Sequence, residues 1–549
     1  MLTRRRVLQA GAGAMLASYA PLLNRAVALG ARTPDSLPDP LRAAGEPTAA
    51  LPFDHIVIVM MENHSFDNYL GMLPRRGQPA ADGFDFDAAG KPVNSNPYKD
   101  GHVVVQRAGS HCQPGTITQN WRSTHLEMDG GRMDGFARVS LDQMVYWDQA
   151  DLPFYYSMAN TFCVGDRWFC SAPCQTYPNR RFLLAATAFG LISTDTSRVF
   201  EDPPNGTIVD RLDAHGVTWR DYFTDVPATG VIASIPAKHP ANLAPIDQFY
   251  ADCAAGTLPQ VSFVDSDIGL AGEAGPNQQT KAQSESEENP ANIALGENFV
   301  SRAANAVLGS PLWPRVLLVW TYDEHGGYYD HVPPPAAIPP DTIKPQLGPN
   351  DPPGGYDVYG PRVPAVLVSG FARRHAVTSV VHDHTSILAT IQAKWNLPAM
   401  THRDANATTL ADFLDARAPT FPEPPTLAAP SDIAASEQTC SFERASFQVQ
   451  PNPPAAAGGA TDHLVVRWYG RRRREHGLLV TLNTRQGAVK DLTLELRRGA
   501  HLLARTHAAH VATARHRAVF RIHVPKGRYT LVVRQGTRTL VRRRVRVGG

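Results

Sequence analysis

The run Val57-Ile58-Val59-Met60-Met61 stops at Glu62 and Asn63, and Val316-Leu317-Leu318-Val319-Trp320-Thr321-Tyr322 stops at Asp323 and Glu324. Short, unbroken, β-branched and apolar segments read as strands buried on both faces. They predict an α/β fold: a mostly parallel sheet with helices on both faces. In such sheets, ligands bind in the crevice beyond the carboxyl ends of the strands. Carboxylates buried there are costly unless they are paired or hold a metal. One acid by itself reads as a salt bridge, whereas acids at two strand ends predict a metal centre. Strands are expected at 55–61, 261–265, 315–321 and 363–369, and helices at 178–189, 291–308 and 385–396.

The expected metal ligands are Glu62, Asn63, Asp323 and Glu324. Oxygen donors suit calcium, magnesium or manganese, and nearby histidines shift the choice towards zinc or iron. In Thr176-Tyr177-Pro178-Asn179-Arg180, the threonine reads as the N-cap of a helix with proline near its first turn. Free N–H groups at a helix start attract anions, and a metal would make the Thr176 hydroxyl nucleophilic at neutral pH. In His382-Asp383-His384-Thr385-Ser386, Thr385 reads as a cap that holds His384 at a helix mouth. A histidine there can protonate a leaving oxygen. His331 and His125 are weaker catalytic candidates.

A chain of 549 residues exceeds one ordinary core. Thr3-Arg4-Arg5-Arg6, the apolar run 10–23 and Ala26-Val27-Ala28 form a twin-arginine export signal over residues 1–28. Apart from this leader, no stretch has the ~18 apolar residues of a membrane span, so a secreted, periplasmic or surface-held protein is expected. The six cysteines (112, 163, 170, 174, 253 and 440) permit disulfides without fixing a pairing, and zinc binding by Cys163, Cys170 and Cys174 is disfavoured by their spacing. Residues 461–549 hold 21 Lys+Arg against 4 Asp+Glu, leaving 32 basic and 47 acidic residues in the remainder. Short alternating runs at 463–469, 478–482, 492–496, 518–524 and 529–534 predict a small basic β-sandwich, joined to a catalytic domain at 52–415 by a Pro/Ala-rich linker at 416–460. Its Arg471–Arg474 and Arg542–Arg544 clusters suit an anionic membrane surface. Nucleic acid is not expected, since no stacking platform or recognition motif accompanies the charge.

Glu62-Asn63-His64-Ser65-Phe66-Asp67, Thr176-Tyr177-Pro178-Asn179-Arg180, Asp323-Glu324-His325-Gly326-Gly327-Tyr328-Tyr329-Asp330-His331 and His384-Thr385-Ser386-Ile387 resemble, in order, the motifs of the bacterial phosphoesterase family. That family contains phospholipases C and related acid phosphatases. The resemblance implies an alkaline-phosphatase-like core and phosphoester hydrolysis by a hydroxyl nucleophile, with Thr176 in that position. It implies a divalent metal (Ca, Mg, Mn or Zn) on Glu62, Asn63, Thr176, Asp323 and Glu324, and a phospholipid or other phosphoester as substrate. His384 would belong to the active-site rim. The rival expectations are an acid phosphatase acting on monoesters and a catalytically decayed protein that binds anionic surfaces. His64, Asn68 and Asn289 depart from the family pattern, and Asn289 stands where a histidine is common.

Overall fold

The computed structural model describes residues 32–114, 117–268, 284–433 and 446–452, and the strands between 463 and 547. Its contacts divide the chain into two units, 1–450 and 451–549. The expected export signal, Arg471–Arg474 and Cys440 lie outside the described residues.

The first unit is built on eight strands: β1 (His55–Met61), β2 (Cys163–Gly165), β3 (Trp219–Phe223), β4 (Leu243–Pro245), β5 (Val261–Asp265), β6 (Val316–Tyr322), β7 (Ala365–Ser369) and β8 (Ala376–Thr378). Their order is β8-β2-β7-β6-β1-β5-β3-β4. All neighbours run parallel except β7, which is antiparallel to both β6 and β2. The sheet is therefore mixed and mostly parallel, as expected. β1, β5, β6 and β7 are fully buried apart from the first residue of β1, which accounts for their unbroken apolar character. The short strands β2, β3, β4 and β8 escaped the sequence reading. β3 is Trp-Arg-Asp-Tyr-Phe, whose charges interrupt the apolar signal. The strand expected from residue 363 begins at Ala365, because Pro364 has no N–H for the ladder.

Six helices matter here: α1 (Trp121–Met128), α2 (Pro153–Thr161), α3 (Thr176–Ala185), α4 (Ile246–Ala255), α5 (Ile293–Leu308) and α6 (His384–Trp395). α2, α4 and α5 pack on the sheet, and α3 packs on α6. Two capping expectations are corrected. Gln175 is the N-cap of α3, so Thr176 is its first helical residue. Asp383 caps α6, its N–H donating to Ser386 Oγ at 3.3 Å, while Thr385 lies inside the helix with its hydroxyl donating to Asp383. The helix begins two residues before the position that a cap at Thr385 requires, so Thr385 falls within its first turn. α3 also ends early: Ala186 turns left-handed at φ 59°, so the apolar residues up to Phe189 are not helical. Among the described residues, no helix is long and apolar enough to cross a membrane.

The second unit contains β9 (His463–Tyr469), β10 (Gly477–Asn483), β11 (Val489–Arg498), β12 (His501–Val511), β13 (His516–Phe520), β14 (Gly527–Gln535) and β15 (Arg538–Val547). They form antiparallel sheets of order β9-β10-β13 and β12-β11-β14-β15. The arginine-rich β15 and the His/Ala-rich β12 gave no apolar alternation to read.

Candidate active site

Parallel register sets the site. Met61 is opposite Tyr322, so the chain leaves both strands together, as Glu62-Asn63 on one and Asp323-Glu324 on the other. The Asn63 N–H donates to Asp323 Oδ1 at 3.3 Å, and the Glu324 N–H donates to the same oxygen at 2.7 Å. Asn63 is left-handed at φ 72°, a conformation that asparagine tolerates better than most residues. Gly326, at φ 63°, lies so close that a Cβ would sit 2.0 Å from the Asn63 carbonyl oxygen. That explains a glycine two residues beyond Glu324.

α3 brings two further groups. Thr176 opens the helix and is buried. Its side chain favours the Asp323 carboxylate, though the contact falls short of full hydrogen-bond geometry. One turn later, Arg180 Nη2 donates to Glu62 Oε1 and to the Met60 carbonyl, each at 3.2 Å, while its Nε stands 3.4 Å from Asp323 Oδ2. The sequence offered a signal for this arginine that was not used: residues four apart share a helix face.

The electrostatics are those of crowded, dry acids. Burial raises the pKa of Glu62 well above the carboxylate range, opposed by Arg180 and reinforced by Glu288, Asp323 and Glu324. Burial also raises Asp323 against the pull of Arg180 and of the Glu324 and Asn63 amides. Glu324 rises to about 8, from burial, opposed by its hydrogen bond from His325 and reinforced by the Asp323 charge. Asn63 Oδ1, Asp323 Oδ2 and Glu324 Oε1 are all buried without a hydrogen bond. Bare oxygens in dry protein are unusual, and oxygen donors of this kind are what a hard divalent cation takes as ligands. The donor set fits such an ion.

His384 touches this cluster from α6. Its Nε2–H donates to the Asp323 carbonyl at 2.6 Å, and its Nδ1 is buried without a partner. Burial lowers its pKa to about 4, so the ring is neutral with a free lone pair on Nδ1. The other two histidines lie elsewhere. His125 lies tilted against Trp121, ring centroids 4.4 Å apart, and bonds the Trp121 carbonyl through Nδ1, held by its own helix. His331 Nδ1 lies 2.6 Å from Asp67, in a network with Asp330, Asp82 and Arg362. Asp67, Asp330 and His331 offer ligand atoms within 4.8 Å of one another and could hold a cation. There, however, every carboxylate oxygen already accepts a hydrogen bond from Arg362, His331 or a backbone amide. Arg362 supplies positive charge in that group as Arg180 does in the other, but the oxygens without a hydrogen bond belong to the cluster with Asp323.

Two buried acids went unnoticed in the sequence because neither ends an apolar strand. Glu287 accepts from Tyr69 at 3.2 Å, Tyr155 at 2.7 Å and Tyr322, and burial raises it to about 8. Glu127, on α1, faces His325 at 2.8 Å. Burial opposes charge on His325, yet Glu127 and Glu324 on either side raise it to about 9. Asn289 donates to the Pro114 carbonyl at 2.7 Å and to the Tyr328 hydroxyl at 2.9 Å. Cys112 is disulfide-bonded, whereas Cys163, Cys170, Cys174 and Cys253 are buried free thiols.

Known proteins are similar to this chain in sequence. The chain is 32% identical over 403 residues to non-specific phospholipase C1 of Arabidopsis thaliana, spanning 67% of this chain and 72% of that one. Phospholipase C A of Mycobacterium tuberculosis is 28% identical over 451 residues, 71% of this chain and 79% of that one. Non-hemolytic phospholipase C of Pseudomonas aeruginosa is 26% identical over 470 residues, covering 75% and 64% respectively. The profile of the phosphoesterase family matches residues 53–398, the span that carries every residue of the cluster, and the chain belongs to that family of ester hydrolases.

Proposed function

We propose that this protein is an exported, phospholipase-C-like phosphodiesterase with Thr176 as nucleophile. The observation that carries the reading is the Thr176 side chain at a helix start against the buried Asp323 carboxylate, with oxygens of Asn63, Asp323 and Glu324 buried and not hydrogen-bonded. The relatives named phospholipase C support the substrate class. Glu62, Asn63, Asp323, Glu324 and Thr176 would hold a divalent cation, with calcium, magnesium and manganese matching the oxygen donors and zinc the remaining alternative. Such an ion supplies charge stabilisation at the phosphoryl oxygens and acidifies the hydroxyl.

The chain's own residues account for the rest. Thr176 Oγ attacks phosphorus in line with the leaving alcohol oxygen. The bond from phosphorus to that oxygen breaks, the proton released from the Thr176 hydroxyl goes to the alcohol, and phospho-threonine remains. Water then attacks phosphorus, and the bond to Thr176 Oγ breaks to restore the hydroxyl. Backbone N–H groups at the start of α3 face the phosphoryl oxygens. Arg180 balances charge on Glu62 and Asp323 as the phosphate enters. His384, its Nε2–H fixed, offers Nδ1 to take up a proton within the site. A loose phosphoryl transition state asks mainly for positioning and charge stabilisation.

The deciding assay compares p-nitrophenyl phosphorylcholine with p-nitrophenyl phosphate, using wild type and Thr176→Ala. Faster turnover of the diester, lost in the variant, supports the reading. Preferential turnover of the monoester would establish a second reading, an acid phosphatase, whereas Asn289, whose amide cannot protonate a poor leaving group, favours a third, a catalytically decayed protein that binds anionic surfaces. Binding of anionic vesicles with no hydrolysis at saturating metal would instead point to a decayed enzyme. Export through a twin-arginine leader at 1–28, and membrane contact through the basic segment 461–549, complete the proposal.

A further inference from the structure

Glu127 is wholly buried on α1, yet it serves no cap and no surface ion pair. Both its oxygens are engaged: Gln143 Nε2 donates to Oε1 at 2.7 Å, and His325 Nε2 donates to Oε2 at 2.8 Å. The opposite nitrogen of that ring, Nδ1, stands 3.3 Å from Glu324 Oε2. The Gly326 N–H donates to the same oxygen at 2.8 Å. Phe136 meets the imidazole edge-on at 6.4 Å, which restricts rotation of the ring. The Gln143 carbonyl accepts from the Tyr329 N–H at 2.9 Å, so the loop after β6 is tied back to the same support. The Gly326 hydrogen bond and the His325 ion pair both fall on Glu324 Oε2, and Oε1 is left without a hydrogen bond.

We infer that Glu127 is a positioning residue of the hydrolytic site, fixing the Glu324 carboxylate through His325 so that Oε1 faces the cation. The inference rests on the reading that Asn63, Asp323 and Glu324 hold that cation. A carboxylate that only filled space would not need both oxygens bonded, one of them to the ring that meets Glu324. Outer partners of this kind orient the ligand they touch, and their loss typically costs about 10–100-fold in metal affinity.

The test is calorimetric titration of metal-stripped full-length protein with Mn²⁺, Ca²⁺, Mg²⁺ and Zn²⁺ in turn. Wild type is compared with Glu127→Ala, Glu127→Gln, His325→Gln and Glu324→Ala. For the tightest ion, Glu127→Ala should weaken affinity by about tenfold or more. Glu127→Gln should retain more affinity, because its amide still reaches the ring and Gln143. His325→Gln, which keeps one anchor but not both, guards against misfolding of the alanine variant and should weaken binding in the same direction. Unchanged affinity in folded Glu127→Ala, or in folded His325→Gln, overturns the inference. Should Glu324→Ala also bind as wild type does, or should wild type bind none of the four ions, the metal reading itself fails. A loss in Glu324→Ala alone overturns the positioning role and leaves that reading standing.

Discussion

Thr176 differs from an ordinary first-turn threonine by what surrounds it: Asp323 at its side chain and Arg180 one turn on. Removing its hydroxyl leaves the helix intact, because Gln175 holds the cap position. Thr176→Ala should therefore melt like wild type yet lose at least ~10³-fold in kcat, as nucleophile deletions do. Thr176→Ser should keep measurable turnover. An alanine variant with more than a tenth of wild-type activity would remove Thr176 from the mechanism. Gly326 is the second residue whose identity is dictated locally. A methyl group there meets the Asn63 carbonyl at 2.0 Å from a backbone already at φ 63°. Gly326→Ala should cost about 1–3 kcal/mol and weaken metal binding, measured by chemical denaturation and metal titration; a variant as stable as wild type would contradict the tight approach.

Among elements, the segments after β1 and β6 are joined at several points, among them the cluster and the group around Arg362. Arg362 Nη2 donates to Asp67 Oδ1 and its Nε to Asp330 Oδ1, each at 2.9 Å, with all three side chains buried. Removing one partner of a buried ion pair strands the other charge, at about 3–5 kcal/mol. Arg362→Met should lose stability on that scale in urea. His331 adds a pH dependence to this joint. Burial opposes its charge, but Asp67 and Asp82 outweigh burial and raise its pKa to about 10 from an ordinary 6.5. A raised folded pKa means the folded state holds the proton longer than the unfolded state does. The stabilisation is full below pH 6.5 and is lost as pH rises towards about 10. The drop in urea midpoint between pH 6.5 and 10 should be smaller in His331→Gln; an equal drop would show that the ring does not carry the dependence.

For the whole molecule, the two units differ in charge as well as in architecture. The acidic α/β unit holds the cluster, and the basic antiparallel sheets lie after residue 450. If the second unit serves adhesion, truncation after Gln450 should leave hydrolysis of a soluble diester within about threefold of wild type. Co-sedimentation with phosphatidylserine vesicles should fall, and salt should reproduce that loss in the full chain, since counter-ions screen surface charge over ~10 Å at 0.1 M. Equal sedimentation of the truncated protein would locate membrane contact in the α/β unit. Chelation should abolish activity in both forms, with recovery on adding the native ion.

The strands that end in acids were legible from sequence because their pattern is local: a run apolar on both faces, then a charge. Thr176-Tyr-Pro-Asn-Arg marked a helix start for the same reason, although one residue of misplacement gave Thr176 the cap that Gln175 occupies. Pairing is not local. The parallel match of Met61 with Tyr322 made neighbours of Glu62 and Asp323, which lie far apart along the chain. Histidines resisted reading because an imidazole's role depends on what meets each nitrogen: His384 met the cluster, His331 met Arg362 and Asp67, and His125 met its own helix. Glu127 and Glu287 left no signal at all, since an acid within a helix or loop looks solvated until packing buries it. Sequence alone thus determined the class of sheet, the acidic strand ends and the family. Which oxygens remain bare, and which charges answer one another, was decided by tertiary packing, because hydrogen bonding and desolvation depend on distances the chain acquires only on folding.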